Sequence, residues 1–166
     1  MKKSINELNA DLFHPQRDKK SVDPKNARKK GMDFLAIREY GHEELILKLQ
    51  TKGYSRQISA ETVEKLKQDG LQNDSRFAES YSRSRYKQGK GPARIMHELE
   101  AKKLPRKVID LALAALEADW FDLAREVKVK KFGVESPVEY KEKSRQIRFL
   151  QSRGFNMEQI SAALKN

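Results

Sequence analysis

The chain contains no cysteine. That excludes a disulfide framework and thiol catalysis and is compatible with a reducing compartment. Tryptophan occurs once, and histidine three times, as His14, His42 and His97. The histidines are isolated, with no second ligand at metal spacing, so neither a metal nor a cofactor is expected. No apolar run approaches the roughly 20 residues of a membrane span. The N-terminal stretch is basic but lacks the apolar core of a signal peptide, and no membrane anchorage is expected. Period-two alternation is nowhere sustained, so no sheet is expected. Gly89-Lys90-Gly91 lacks the preceding strand and the hydroxyl residue of a phosphate loop and reads as a tight turn. Glu43, Glu44, Glu98 and Glu100 read as exposed helix carboxylates, and Ser80, Ser82 and Ser84 have no neighbouring base. The acid–base constellation of an enzyme is missing, and the chain reads as non-catalytic.

What the sequence has in quantity is charge. Of 166 residues, 36% are charged and 37% apolar, and 35 Lys and Arg against 24 Asp and Glu leave a net +11. A balance of this sign points to an acidic partner: nucleic acid, a nucleoprotein or an anionic surface.

Caps and glycine stops divide the chain into helices. Residues 1–22 read as a basic, disordered tail. Asp23-Pro24 opens a helix with Phe34, Leu35 and Ile37 inward, ending near Tyr40. Gly41 opens a second, with Leu45, Ile46 and Leu49 as its apolar stripe and Gly53 as its stop. Ser59 caps a third carrying Val63 and Leu66, stopped at Gly70. Asn73 or Asp74 caps a fourth, closed by Gly89. Gly91 and Pro92 start a fifth, and the short Gly-Lys-Gly link folds the two back on each other. Leu104-Pro105 opens a helix, Val108 to Leu116, so apolar all round that it is expected to be the most buried. Asp119 caps the next, with Trp120, Leu123, Val127 and Phe132, stopped at Gly133. Ser136-Pro137-Val138-Glu139 reads as a capping box for a helix carrying Ile147, Phe149 and Leu150 and ending at Gly154. Asn156 with Gln159 caps the last, with Ile160, Ala163 and Leu164 inward.

An internal repeat underlies this order. Leu49-Gln-Thr-Lys-Gly-Tyr54, Leu99-Glu-Ala-Lys-Lys-Leu104 and Leu150-Gln-Ser-Arg-Gly-Phe155 share one pattern, and Ile46, Met96 and Ile147 fall at the same phase upstream. The expected architecture is all-α: an elongated, curved array of three tandem three-helix repeats over residues 23–72, 73–118 and 119–166.

Binding residues are sought among the cations. On the fourth helix Phe77 and Tyr81 share an apolar face, while Arg76, Ser80, Arg83 and Lys87 form a polar stripe beside it. Arg85, Lys90 and Arg94 add to this central basic segment. A third-repeat segment comprises Arg125, Lys128, Lys130, Lys131, Arg145 and Arg148, and a first basic segment comprises Lys19, Lys20, Lys29 and Lys30. Arginine suits phosphates and carboxylates in bidentate geometry. For any single cation, a solvated helix face is the competing explanation. Structural roles fall to Phe77, Tyr81, Gly89, Gly91, Pro92 and Leu99. A helix-turn-helix is excluded, because Val108 to Leu116 is too apolar to read base edges.

The run Asn-Asp-x-Arg-Phe-Ala-x-x-Tyr-x-x-x-Arg (Asn73 to Arg85), followed by Gly-x-Gly-Pro-x-Arg-Ile-x-x-Glu-Leu-x-x-Lys (Gly89 to Lys102), resembles the RecX family of regulatory proteins. The resemblance runs from about Asn26 to the end, and includes Glu43-Glu44-Leu45 and Arg148-Phe-Leu-Gln-Ser-Arg-Gly-Phe155. The sequence departs from the family pattern at Lys103, where glycine is usual, and at Leu104-Pro105, where a polar cap is common. The resemblance implies a cytoplasmic bacterial protein, expected to be monomeric, that binds RecA and the RecA filament on single-stranded DNA. It also implies damping of recombinase, ATPase and co-protease activities; the distributed positive charge, for its part, predicts weak non-specific binding of naked DNA. A basic helical DNA-binding protein acting without RecA is the alternative.

Overall fold

The computed structural model describes residues 23–165, and the tail at 1–22 lies outside the described residues. The helices are α1 (Pro24–Ile37), α2 (His42–Gln50), α3 (Arg56–Gln68), α4 (Asp74–Lys87), α5 (Pro92–Ala101), α6 (Arg106–Ala114), α7 (Trp120–Phe132), α8 (Tyr140–Arg153) and α9 (Met157–Leu164). No strand occurs among the described residues. Contacts between helices run within consecutive triplets, with α1 and α2 on α3, α4 and α5 on α6, and α7 and α8 on α9. The described residues are therefore all-α, built of three tandem three-helix repeats. It divides into two compact units, one ending at Gln72 and one beginning at Asn73.

Local chemistry sets most boundaries. The Asn73 side chain accepts from Arg76 N–H at 3.0 Å, and Asp119 accepts from Phe121 and Asp122 N–H at 3.0 and 2.9 Å. Asn156 and Gln159 form a reciprocal capping box, each bond 2.9 Å. Pro92 occupies the start of α5 after Gly91.

Four expectations are corrected. α1 ends at Ile37, which is 79% exposed, and Tyr40 takes the inward position, its ring 6.0 Å from that of Phe34. The extended backbone of Arg38 makes the switch, turning the chain off the helical path before Tyr40. Ser55, not Ser59, caps α3; Ser59 is buried one turn inside it. Ser136-Pro137-Val138-Glu139 does not start a helix; α8 begins at Tyr140 and Val138 is 96% exposed. α6 is not the most buried helix, since only Ile109 and Ala112 are buried and Leu111 is 60% exposed. It packs on α4 and α5 from one side, and nothing in its own composition chooses which side.

Each triplet has its own core. Phe34, Leu45, Ile46, Leu49, Val63 and Leu66 form the first. Phe77, Ile95, Leu99, Leu104 and Ile109 are central to the second, and Leu123, Leu150, Phe155, Ile160 and Leu164 to the third. The apolar residue ending each repeat pattern, Tyr54, Leu104 or Phe155, packs on its own core. After α5, Lys103 N–H donates to Glu100 C=O at 2.9 Å and Leu104 N–H to Leu99 C=O at 3.4 Å. After α8, Gly154 and Phe155 make the matching pair to Gln151 and Leu150 at 2.9 and 3.2 Å. These are Schellman endings, whose left-handed residue is Gly154 at φ 94° in one case and Lys103 at φ 65° in the other.

The second and third triplets are joined within one unit. Trp120 packs against both cores, and its ring meets that of Tyr86 edge-on at 5.4 Å. Gly91 N–H donates to Arg153 C=O at 2.8 Å and Ala93 N–H to Gly154 C=O at 3.2 Å. A Cβ on Gly91 would lie 2.5 Å from the Gly154 carbonyl, so only glycine permits this approach.

Candidate partner-binding surface

α4 separates its two faces as its sequence spacing dictates. Phe77, Ala78 and Ser82 are buried, while Arg76, Ser80, Arg83 and Lys87 are exposed. Phe77 stacks at a tilt on Tyr81, centroids 5.6 Å apart, which holds the apolar face against α5 and α6. The basic stripe is turned outward as a consequence.

Arg85 and Arg94 have a different role. Glu98 on α5 accepts from Arg94 Nε at 2.8 Å and from the Tyr81 hydroxyl at 2.9 Å. The same Tyr81 oxygen accepts from Arg85 Nη2 at 2.9 Å, and the Arg85 guanidinium lies 4.6 Å from the Tyr81 ring centroid. Arg85 Nε is 2.9 Å from Glu98 Oε2 but makes no hydrogen bond there, so that contact is a charge pairing alone. Partial burial works against ionisation of Glu98, but the hydrogen bonds from Arg94 and Tyr81 and the two guanidinium charges prevail, holding its carboxyl below the usual range. Burial first, then Glu98, raise the Tyr81 phenol, with Arg85 opposing. Glu98 is thus a hub bracing α4 to α5 rather than a solvated carboxylate.

The third-repeat cations also divide. Lys128 is 1% exposed, and its ammonium donates to Val134 and Glu135 C=O at 3.0 and 2.7 Å. It is a structural lysine clamping the α7–α8 loop, which corrects its reading as a contact residue. Arg145 pairs with Glu142 at 3.0 Å and covers the Phe132 ring, and Arg125 pairs with Asp122 at 3.1 Å. Lys130, Lys131 and Arg148 are exposed, and Lys90 is half-buried.

A groove of about 380 Å³ lies between the triplets of this unit. It brings Lys87 from α4 together with Lys130 and Lys131 from α7 and Arg153 from α8. Arg153 was missed from sequence; its place at the end of the third repeat pattern gave it a turn role that hid its exposure to the groove. No group of three or more His, Asp and Glu is placed to hold a metal among the described residues, and no described helix is long and apolar enough to cross a membrane.

Three consecutive three-helix units with outward-facing cations define a tandem helical-repeat protein with a basic surface. Residues 73–113 match the family model described as RecX, second three-helix domain, and residues 117–164 match the third. The chain is 39% identical over 137 residues to regulatory protein RecX of Pseudomonas fluorescens, covering 82% of this chain and 88% of that one. It is equally 39% identical over 136 residues to regulatory protein RecX of Halorhodospira halophila, covering 82% and 84%. The chain belongs to the RecX family of regulatory proteins. The fold likewise resembles the crystal structure of RecX from Lactobacillus salivarius, with TM-score 0.67 at 21% identity over 86% of this chain and 94% of that one. A second crystal structure, of regulatory protein RecX, gives TM-score 0.73 at 19% identity, over 100% and 80%.

Proposed function

We propose that this RecX-family chain binds RecA and the RecA filament on single-stranded DNA in the cytoplasm, and inhibits recombinase, ATPase and co-protease activities. The observation that carries this reading is the α4 stripe. Phe77 is buried at 2% exposure, so Arg76, Ser80, Arg83 and Lys87 necessarily face outward beside it. A nucleoprotein groove offers phosphates and carboxylates to such a face. Catalysis is not part of this reading.

The experiment is RecA-dependent ATP hydrolysis on single-stranded DNA, titrated with wild type and with the Arg83→Glu/Lys87→Glu variant. These exposed changes should alter stability by under about 0.5 kcal/mol each, yet weaken inhibition. A folded variant that inhibits as well as wild type at physiological salt removes the stripe from the contact surface. Phe77→Ala should instead cost roughly 3–5 kcal/mol of stability. The net charge of +11 also favours a second reading, in which DNA alone is the target. Binding to naked and to RecA-coated strands at matched salt separates the two.

A further inference from the structure

We propose that the groove between α4, α7 and α8 is a single-stranded nucleic-acid subsite. In it Lys87, Lys130, Lys131 and Arg153 hold backbone phosphates, and one base covers the Phe149–Val127 floor. The inference rests on the filament reading only in that its ligand is the kind of strand RecA coats.

The convergence of four cations on one cavity makes the groove distinctive. Several arginines elsewhere carry carboxylate partners: Arg28 with Asp69, Arg38 with Glu44, Arg106 with Asp110, Arg145 with Glu142; Arg83 and Arg148 have none among the described residues. Lys87, Lys130 and Lys131 have no ion-pair partner among the described residues. Arg153 donates only to the Gln88 C=O, at 3.2 Å, and covers the Phe149 ring at 5.1 Å. Against these four cations the lining offers one carboxylate, Glu126. Lysines near helix C-termini also answer the helix dipole, which accounts for one base at each of two ends. It does not account for the convergence of both ends with Arg153 on one cavity.

The floor decides between nucleic-acid forms. Leu123, Val127 and Phe149 are apolar, and Phe149 is fixed edge-on against Phe132 at 5.2 Å. A duplex keeps its bases stacked inside and gains nothing from such a floor. A single strand can turn a base onto it while its phosphates meet the rim, the combination that single-strand sites use. An acidic peptide would satisfy the rim but would have to bring its own apolar side chain to the floor. The cavity also lies in the range of preformed ligand sites, roughly 300–1,000 Å³.

The test is fluorescence anisotropy on the full chain without RecA, using labelled oligothymidylate, a duplex of equal length, a fluorescent ATP analogue and an acidic Glu/Leu peptide. Lys130→Gln/Lys131→Gln should lower single-strand affinity about tenfold at physiological salt, as expected for two lost phosphate contacts. Lys65→Gln/Lys67→Gln, which removes the same charge from α3, should change it less than about threefold, because separated surface charges are screened. Phe149→Leu should lower single-strand affinity at least about fivefold and leave duplex binding unchanged. Its fold is checked by circular dichroism, and the exposed lysine pair gives an independent answer if it fails to fold. Equal losses in the two Gln pairs overturn the proposal. So does tighter binding of the peptide than of the oligonucleotide, or binding of the ATP analogue as tight as that of the strand. Because RecA is absent, failure here is distinct from failure in the ATPase assay.

Discussion

The Tyr81 hydroxyl donates to Glu98 Oε2 at 2.9 Å while accepting from Arg85, so one phenol links a cation on its own helix to an anion on the next. This bond braces the α4–α5 hairpin, and Arg85 and Arg94 are engaged with partners of their own chain.

The relationship predicts a pH dependence. The folded-state pKa of Glu98 is depressed. Its contribution is therefore fully present above the unfolded carboxyl range and is lost as pH falls through the lower folded value. Glu98→Gln should destabilise by roughly 1–3 kcal/mol at pH 7. Urea unfolding of both proteins across pH should give a gap that is flat at neutral pH and closes in acid below about pH 4.3. A gap that stays constant into strong acid would mean the carboxylate charge contributes nothing.

Lys128 gives a second prediction. Lys128→Met should cost about 1–3 kcal/mol, because two loop carbonyls lose their donor. Cleavage by a Glu-specific protease at Glu135 or Glu139 should speed up, while affinity for naked DNA should hold. A drop in DNA affinity with the loop still protected would restore Lys128 as a contact.

Lys103 stands at φ 65° where the third repeat has Gly154 at φ 94° and the first has Gly53 at φ 92°. A side chain in the left-handed region costs roughly 1–2 kcal/mol, partly offset by the flexibility glycine adds to the unfolded chain. Lys103→Gly should therefore stabilise by about 0.5–1 kcal/mol, read as a higher urea midpoint with an unchanged slope. A lower midpoint would show that the lysine side chain more than compensates its backbone.

Gly91→Ala should destabilise by about 1–3 kcal/mol, since the added methyl meets backbone atoms that cannot rotate away. Differential scanning calorimetry should show a lower transition for the unit beginning at Asn73. An unchanged transition would mean that the two triplets can separate slightly at little cost.

Much of this fold is readable from local chemistry. Asn73, Asp119 and the Asn156/Gln159 pair cap their helices through contacts two or three residues away, a distance sequence patterns capture. Most failures concern longer reach. The apolar circumference of α6 could not tell which side α4 and α5 would cover. The false cap at Ser136 lies in a segment whose carbonyls are held by Lys128, six and seven residues upstream. Arg85, Arg94 and Lys128 looked like Arg83 and Lys87 because charge is visible in a sequence and its partner is not. Arg94 with Glu98 on α5, and Tyr81 with Arg85 on α4, each pair four apart, carried the local signals of the hub.

The first N–H groups of a helix and the last carbonyls of another are complementary orphans. At Gly91 and Ala93 they are matched directly, since the end of α8 supplies the Arg153 and Gly154 oxygens that the start of α5 lacks. The second and third repeats are therefore modular in sequence without being detachable in space. A truncation after α6 would uncap a helix nearly fifty residues earlier than α8 in the chain. Any lineage or engineer wishing to shorten this protein from its C-terminus would first have to invent a new beginning for α5.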